Sequence, residues 1–176
     1  MNTLTRFQKK KLHAGVTLIE ILAGIVILGG MLYAIMGRVG TANESAGVNA
    51  EQGHIAMLSN GISGNLWTSS GYPTGDLYTY LKNNNLIPGD MTDTGTGIKN
   101  SYGGAVLATG ASTYYTISYS SVPKQACNKL SVQMSKSSTF STTTVNGTVL
   151  TGEVTPALSS TACNSDSNTL VWKSTI

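Results

Sequence analysis

One carboxylate stands alone in this chain. From Val16 to Met36 the only charged side chain is Glu20, one turn into a run that is otherwise apolar or small. At that depth in a membrane a carboxylate costs on the order of 2.5–3.5 kcal/mol, less toward the interface. The chemistry it offers is charge pairing, and it requires a partner; the competing reading is a side chain that snorkels to the interface. Little else in the chain suits catalysis. His13 and His54 are the histidines, and Cys127 and Cys163 the cysteines. A Ser-His-Asp arrangement would need His54 with Asp76, Asp90, Asp93 or Asp166, but no strand-turn-helix nucleophile signature is present. With His13 ahead of the apolar run, where a cleaved leader would remove it, and the cysteines read as a pair, His54 alone makes neither a zinc site nor a Cys-His nucleophile. The acids lack the spacing of a calcium loop. The expectation is a protein with no catalytic residues, no metal and no cofactor.

The element that carries Glu20 is about the length a bilayer core requires of a helix. Before it lie Arg6, Lys9, Lys10 and Lys11, with no acid among residues 1–15. Positive charge ahead of an apolar helix holds that end in the cytoplasm. Without these four, seven basic side chains face eight acidic ones, so no basic stripe remains for nucleic acid. Charged residues are only 11% of the 176, and Ser, Thr, Gly and Asn abound, as in a secreted or surface protein. The length suits one domain with an appendage. An ordinary secretory signal has a shorter apolar region; the rival cleavage site would lie in Gly37-Arg38-Val39-Gly40-Thr41-Ala42. In an exported chain the two cysteines read as a disulfide, worth about 3–4 kcal/mol for a loop of roughly 36 residues. Two reduced, buried thiols are the alternative, against which an export signal argues.

Beyond Arg38 the helical pattern continues to about Ser70. Val48, Ile55, Leu58, Ile62 and Leu66 make one apolar face, with Met57 and Trp67 expected in the same core and His54 on the polar side. Gly47, Gly53, Gly61 and Gly64 weaken the helix, so packing must hold it. Gly24, Gly29 and Gly30 do the same upstream, either for close helix approach or for local melting. A helix from Val16 to Ser70 is about 80 Å long. Its first half therefore belongs in lipid or in a bundle.

Gly71-Tyr72-Pro73-Thr74-Gly75 reads as the helix end. Residues 76–102 read as a connecting loop with a short helix near Asp76 to Asn83, Leu77, Tyr80 and Leu81 facing inward. Thr92 to Gly97 reads as a mobile stretch. Ala105-Val106-Leu107 and Thr113 to Tyr119 predict an antiparallel pair. Val122 to Met134 has helical spacing, and Phe140 to Thr151 reads as a hairpin turning at Asn146-Gly147. Thr155-Pro156 opens a short helix toward Cys163, and Leu170 to Lys173 is a last strand. Asn43-Glu44-Ser45 and Asn146-Gly147-Thr148 fit the glycosylation triplet.

A basic leader, Gly15, Val16, then Thr17-Leu18-Ile19-Glu20 and an apolar helix resemble the class III signal of type IV pilins. The resemblance implies that a prepilin peptidase cuts after Gly15 and methylates the new amino terminus at Val16. It also implies that Glu20 is kept for subunit-to-subunit assembly. The physics agrees: the Val16 amine is cationic, with an ordinary pKa near 8, and would offset the Glu20 charge of a neighbouring copy. Val16 and the long leader look more like the type IVb branch. Asn100-Ser101-Tyr102-Gly103-Gly104 resembles that branch's entry into its sheet. Lys124-Gln125-Ala126-Cys127 and Ser160-Thr161-Ala162-Cys163-Asn164 resemble the segments bearing its disulfide. Bundle-forming pilins and the thin-pilus pilins of conjugative plasmids are the nearest likeness.

The implied fold is α+β, the pilin αβ-roll: a long N-terminal helix whose second half packs on an antiparallel sheet with a disulfide-bounded C-terminal region. The implied organisation is a cleaved leader (1–15), a transmembrane or filament-core helix (16–37) and a globular domain (38–176). Implied partners are further copies of the chain in a helical filament, the peptidase, an assembly ATPase with its inner-membrane platform, and an outer-membrane secretin. The subunit would wait in the inner membrane and end in an extracellular fibre. Between the cysteines, Lys136 to Thr144 and Thr148 to Thr155 would be surface. Two rivals remain: a minor pilin or type II secretion pseudopilin, and a single-span anchored binding module in which Glu20 is accidental.

Overall fold

The computed structural model describes residues 46–175. Gly15, Val16, Glu20, the apolar run and the Asn43 triplet lie outside them.

The described chain opens on a helix, α1 (46–65). Val48, Ile55, Leu58 and Ile62 are buried along it, and Leu66 just beyond it, the face their spacing predicts. Met57 departs from expectation at 60% exposed. It lies about two and a half turns from Val48 and so on the opposite side of the helix. Trp67 is 50% exposed and packs edge-on to Tyr72, ring centroids 4.7 Å apart.

The helix stops short of Ser70. Thr68 and Gly71 close a tight turn by exchanging backbone hydrogen bonds of 3.2 and 2.9 Å. Gly71 sits at φ +93°, where a Cβ would stand 2.2 Å from the Ser112 carbonyl oxygen. That close approach belongs to a strand absent from the sequence reading, β1 (Tyr72–Asp76), which pairs antiparallel with β4 (Ala105–Ser112). Its glycine and proline hide it from a propensity scan, and the pairing with β4 supplies what propensity lacks. The short helix follows as α2 (Tyr78–Asn83). Leu77 and Leu81 are buried as expected, but Tyr80 is 48% exposed.

Residues 92–99 form a small hairpin, β2 (Thr92–Asp93) with β3 (Ile98–Lys99). Strand β4 runs through Gly110 to Ser112 rather than ending at Leu107, and pairs with β5 (Tyr115–Val122). Val106 and Ala108 of β4 and Tyr115, Ile117 and Tyr119 of β5 are buried at alternate positions, the period of two that puts one strand face in a core. Val122 ends β5 rather than starting a helix; Pro123 then leads into α3 (Lys124–Ser135). The second hairpin is β6 (Phe140–Val145) with β7 (Thr148–Thr151). Asn146 and Gly147 both carry positive φ at its turn, +49° and +84°, as a two-residue hairpin of this type demands. Thr155 caps α4 (Pro156–Ala162), its hydroxyl accepting from the Leu158 N–H.

The last strand, β8 (Asn168–Ser174), enters the middle of the sheet, between β5 and β6. The strand order is β2-β3-β4-β5-β8-β6-β7, with β1 added along β4. Trp172 of β8 lies fully buried against Tyr119 and Phe140, ring centroids 5.6 and 6.4 Å away. Helices on an antiparallel sheet, with the cysteines in its C-terminal part, make the α+β architecture anticipated.

Candidate functional site

Cys127 on α3 and Cys163, which ends α4, form a disulfide with their Cα atoms 5.9 Å apart. Both are fully buried. Around the bond the two helices share a polar seam: the Ser131 and Ser159 hydroxyls meet at 2.8 Å, and Ser159 donates to the Asn128 carbonyl oxygen at 3.0 Å. Outside that seam α3 and α4 leave a groove of about 410 Å³ bordered by Val132, Gln133, Pro156 and Ser160.

The expected surface between the cysteines divides in two. In β6, Phe140 and Thr143 are buried while Ser141 between them is exposed. In β7 the edge is open, and Val149 is 60% exposed. Lys136 and Glu153 bridge the two stretches at 3.5 Å. The Asn146 triplet is not free for a sugar. Its amide nitrogen donates to Ala162 O and Asn168 Oδ1, at 3.1 and 2.8 Å, and its Oδ1 accepts from the Thr169 N–H at 2.9 Å.

At the other end of the sheet, Asn100 organises the entry turn. Its Oδ1 accepts from the N–H groups of Tyr102 and Gly104, and its Nδ2 donates to the Ser120 carbonyl. Gly104 is needed there, since a Cβ would fall 1.9 Å from that same Ser120 oxygen.

His54 is not on the polar side of the helix, as the sequence suggested, but 5% exposed. Its Nδ1 lies 3.1 Å from Glu51 Oε2 and its Nε2 2.8 Å from Asp90 Oδ2. Glu51 is itself fully buried, and its other oxygen accepts from the Ser101 N–H at 2.5 Å. Burial alone would depress the imidazole pKa, but hydrogen bonds and charge from Asp90 and Glu51 raise it above the usual value. Of the acids weighed for a triad, the fold brings Asp90 to His54. Both ring nitrogens face carboxylates, however, so neither stands ready to take a proton from a hydroxyl. The cluster joins α1 to the chain around it. The sequence reading names Asp90 among four acids for His54 but passes over Glu51, although its three-residue spacing from His54 on one helix face is a signal for it.

Asp93 anchors the hairpin that the sequence left mobile. It accepts from the Tyr78 hydroxyl at 2.6 Å and the Gly95 N–H at 2.8 Å, and pairs with Lys82 at 3.1 Å. Those bonds, the Tyr78 hydroxyl first, hold its pKa down at about 2.

Among the described residues, none covers the far side of α1 at its two glycines. Gly53 and Gly64 have nothing within 4 Å of where a Cβ would stand. About three turns apart, they share one face with Met57.

A family model described as PilS N terminal matches residues 45–175, most of the chain. The chain belongs to the PilS family of type IVb pilins. The crystal structure of the type IVb pilin from Salmonella typhi is similar, with 26% identity and a TM-score of 0.55, over 66% of this chain and 91% of that one. The NMR structure of the type IVb pilin PilS from Salmonella typhi matches at 25% identity and a TM-score of 0.49, over 72% and 94%. No curated protein matches the sequence. The type IVb resemblance of the leader and of the Asn100 and cysteine segments thus agrees with a pilin globular domain. Membership of a pilin family carries a structural role, with copies of the chain assembled into an extracellular pilus filament. Gly15, Val16 and Glu20 of this pilin lie outside the described residues.

Proposed function

We propose that this pilin is the major structural subunit of a type IVb pilus. It is held in the inner membrane by its apolar helix, cut after Gly15 by a prepilin peptidase and methylated on Val16. An ATP-driven platform then extrudes it, and an outer-membrane secretin passes the fibre to the surface. Glu20 of each incoming copy pairs with the Val16 amine of a neighbour. The observation that carries this reading is the sequence around Glu20, a lone carboxylate five positions after a basic leader's Gly15, in a chain of the PilS family.

Two properties of the globular domain support it. Among the described residues, the α1 face bearing Gly53 and Gly64 has no neighbour within 4 Å to explain its lack of side chains, and glycine costs an exposed helix up to about 1 kcal/mol per site. Close approach of another copy would explain that cost. The disulfide, meanwhile, ties the C-terminal region that a fibre would present outside the cell.

Intact mass and amino-terminal sequencing of exported protein test the processing. The expected chain begins at Val16 and carries one added methyl. A start near Gly37, or an intact Met1, contradicts it. Electron microscopy of sheared surface material tests the major role: abundant thin fibres built of this chain are expected, whereas rare incorporation into fibres of another subunit would make it a minor pilin.

A further inference from the structure

A fully buried carboxylate needs either a charge partner or a proton. Glu51 has the Ser101 N–H on one oxygen and His54 on the other. From β5, Tyr119 faces it as well, with Tyr102 of the 100–104 turn beside Tyr119; burial first, then the Glu51 charge, raises the Tyr119 pKa and keeps that hydroxyl neutral. The charged groups facing the His54 ring are Glu51 from its own helix and Asp90 from the segment after α2. A neutral imidazole carries one N–H and an imidazolium two. Both nitrogens lie at ion-pair distance from a carboxylate, Nδ1 in a hydrogen bond to Glu51 and Nε2 off the line of one to Asp90, an arrangement that favours the imidazolium.

The two carboxylates are unequal. Glu51 is sealed in the core, whereas the Asp90 side chain is 72% exposed and can find water. When the ring holds a single proton, Nδ1 keeps it for the buried Glu51, and the bare Nε2 lone pair then faces Asp90. Attraction becomes repulsion at 2.8 Å. The turn that Asp90 belongs to is slight, closed by the Met91 N–H on the Pro88 carbonyl at 3.0 Å. It borders a groove of about 400 Å³ whose walls include Ile87, Pro88, Gly89 and Met91.

We infer that Glu51, His54 and Asp90 form a proton-operated latch: protonated His54 pins the 87–91 turn to α1, and loss of that proton lets the turn and the groove it borders open. The inference concerns the folded subunit and stands apart from how the fibre assembles. Because the native pKa is raised, the latch is fully closed below the ordinary histidine value near 6.5 and is lost as pH rises through the higher native one. Asp90, whose pKa His54 pulls down, stays charged throughout that window.

The test uses the full-length chain in detergent micelles. NMR follows the His54 ring signals from pH 5 to about 9, and hydrogen exchange follows the Met91 and Ile117 amides, each corrected for its intrinsic rate. Met91 protection should fall about tenfold with the same midpoint as the His54 titration, while Ile117, inside the β4–β5 ladder, holds. Asp90 is exposed, so Asp90→Asn keeps the fold. It should lower the His54 midpoint and leave Met91 weakly protected at every pH. Met91 protection that ignores the His54 titration, that falls together with Ile117, or that survives Asp90→Asn unchanged overturns the inference.

Discussion

The Asn100 side chain holds the Ser120 carbonyl oxygen at 2.9 Å, and through that bond the turn of residues 100–104 is fastened to the end of β5. The same side chain takes the Tyr102 and Gly104 N–H groups on its other end, at 3.0 and 2.9 Å. With 4% of its surface exposed, it replaces water for three backbone groups at once. Asn100→Ala should therefore cost about 2–4 kcal/mol, and Asn100→Asp less, because it keeps the acceptor. Urea unfolding of the two variants checks the order; equal, small losses would mean that water substitutes for the side chain.

The disulfide should act on the domain's stability through the unfolded chain. Replacing Cys127 and Cys163 with serine should lower stability by about 3–4 kcal/mol. Two further polar atoms would then be buried beside the Ser131–Ser159 seam, so the loss should not fall below this. Chemical denaturation with and without the pair measures it, and a difference under about 1 kcal/mol would contradict the account.

Acid should loosen the β2–β3 hairpin late. The Asp93 pKa is depressed, so its contribution is present above the usual carboxylate range and is lost as pH falls toward about 2. Carboxyl NMR titration should show that value, and Tyr78→Phe should move it up, since the Tyr78 hydroxyl is the strongest of its partners. A midpoint in the ordinary range in the unmodified chain would contradict the bonding described.

The α1 face opposite the core separates folding from assembly. Gly53→Leu and Gly64→Leu meet open space in the subunit, and each replaces a poor helix former with a good one. Thermal stability should hold, or rise by up to about 1 kcal/mol per site. Fibre formation should fall sharply. Fibres in normal abundance from the double variant would show that no copy covers this face.

What was legible in the sequence followed regular periods and strong local signals. Val48, Ile55, Leu58 and Ile62 announced their helix face, Asn146-Gly147 its turn, and Thr155-Pro156 its cap. Elements built by partners were not legible. Strand β1, rich in turn residues, exists through its pairing with β4, and the central place of β8 depends on β5 and β6 together. The site divides the same way. The cysteines declared their pairing by number and context. His54 reads as lying on the polar side of a glycine-rich helix; only the chain returning at Asp90 and Ser101 makes that side interior. Met57 failed for the opposite reason, as an apolar residue on a face that no described residue covers.

The central claim joins two groups made at different times: Glu20 is encoded, whereas the Val16 amine exists only after cleavage at Gly15. The most direct test is Glu20→Ala in cells, with quantitative detection of the membrane-held chain, intact mass of its processed form and electron microscopy of the surface. The account predicts an undiminished membrane pool, a processed chain starting at Val16, and no fibres. Fibres of normal number and length from Glu20→Ala would contradict it.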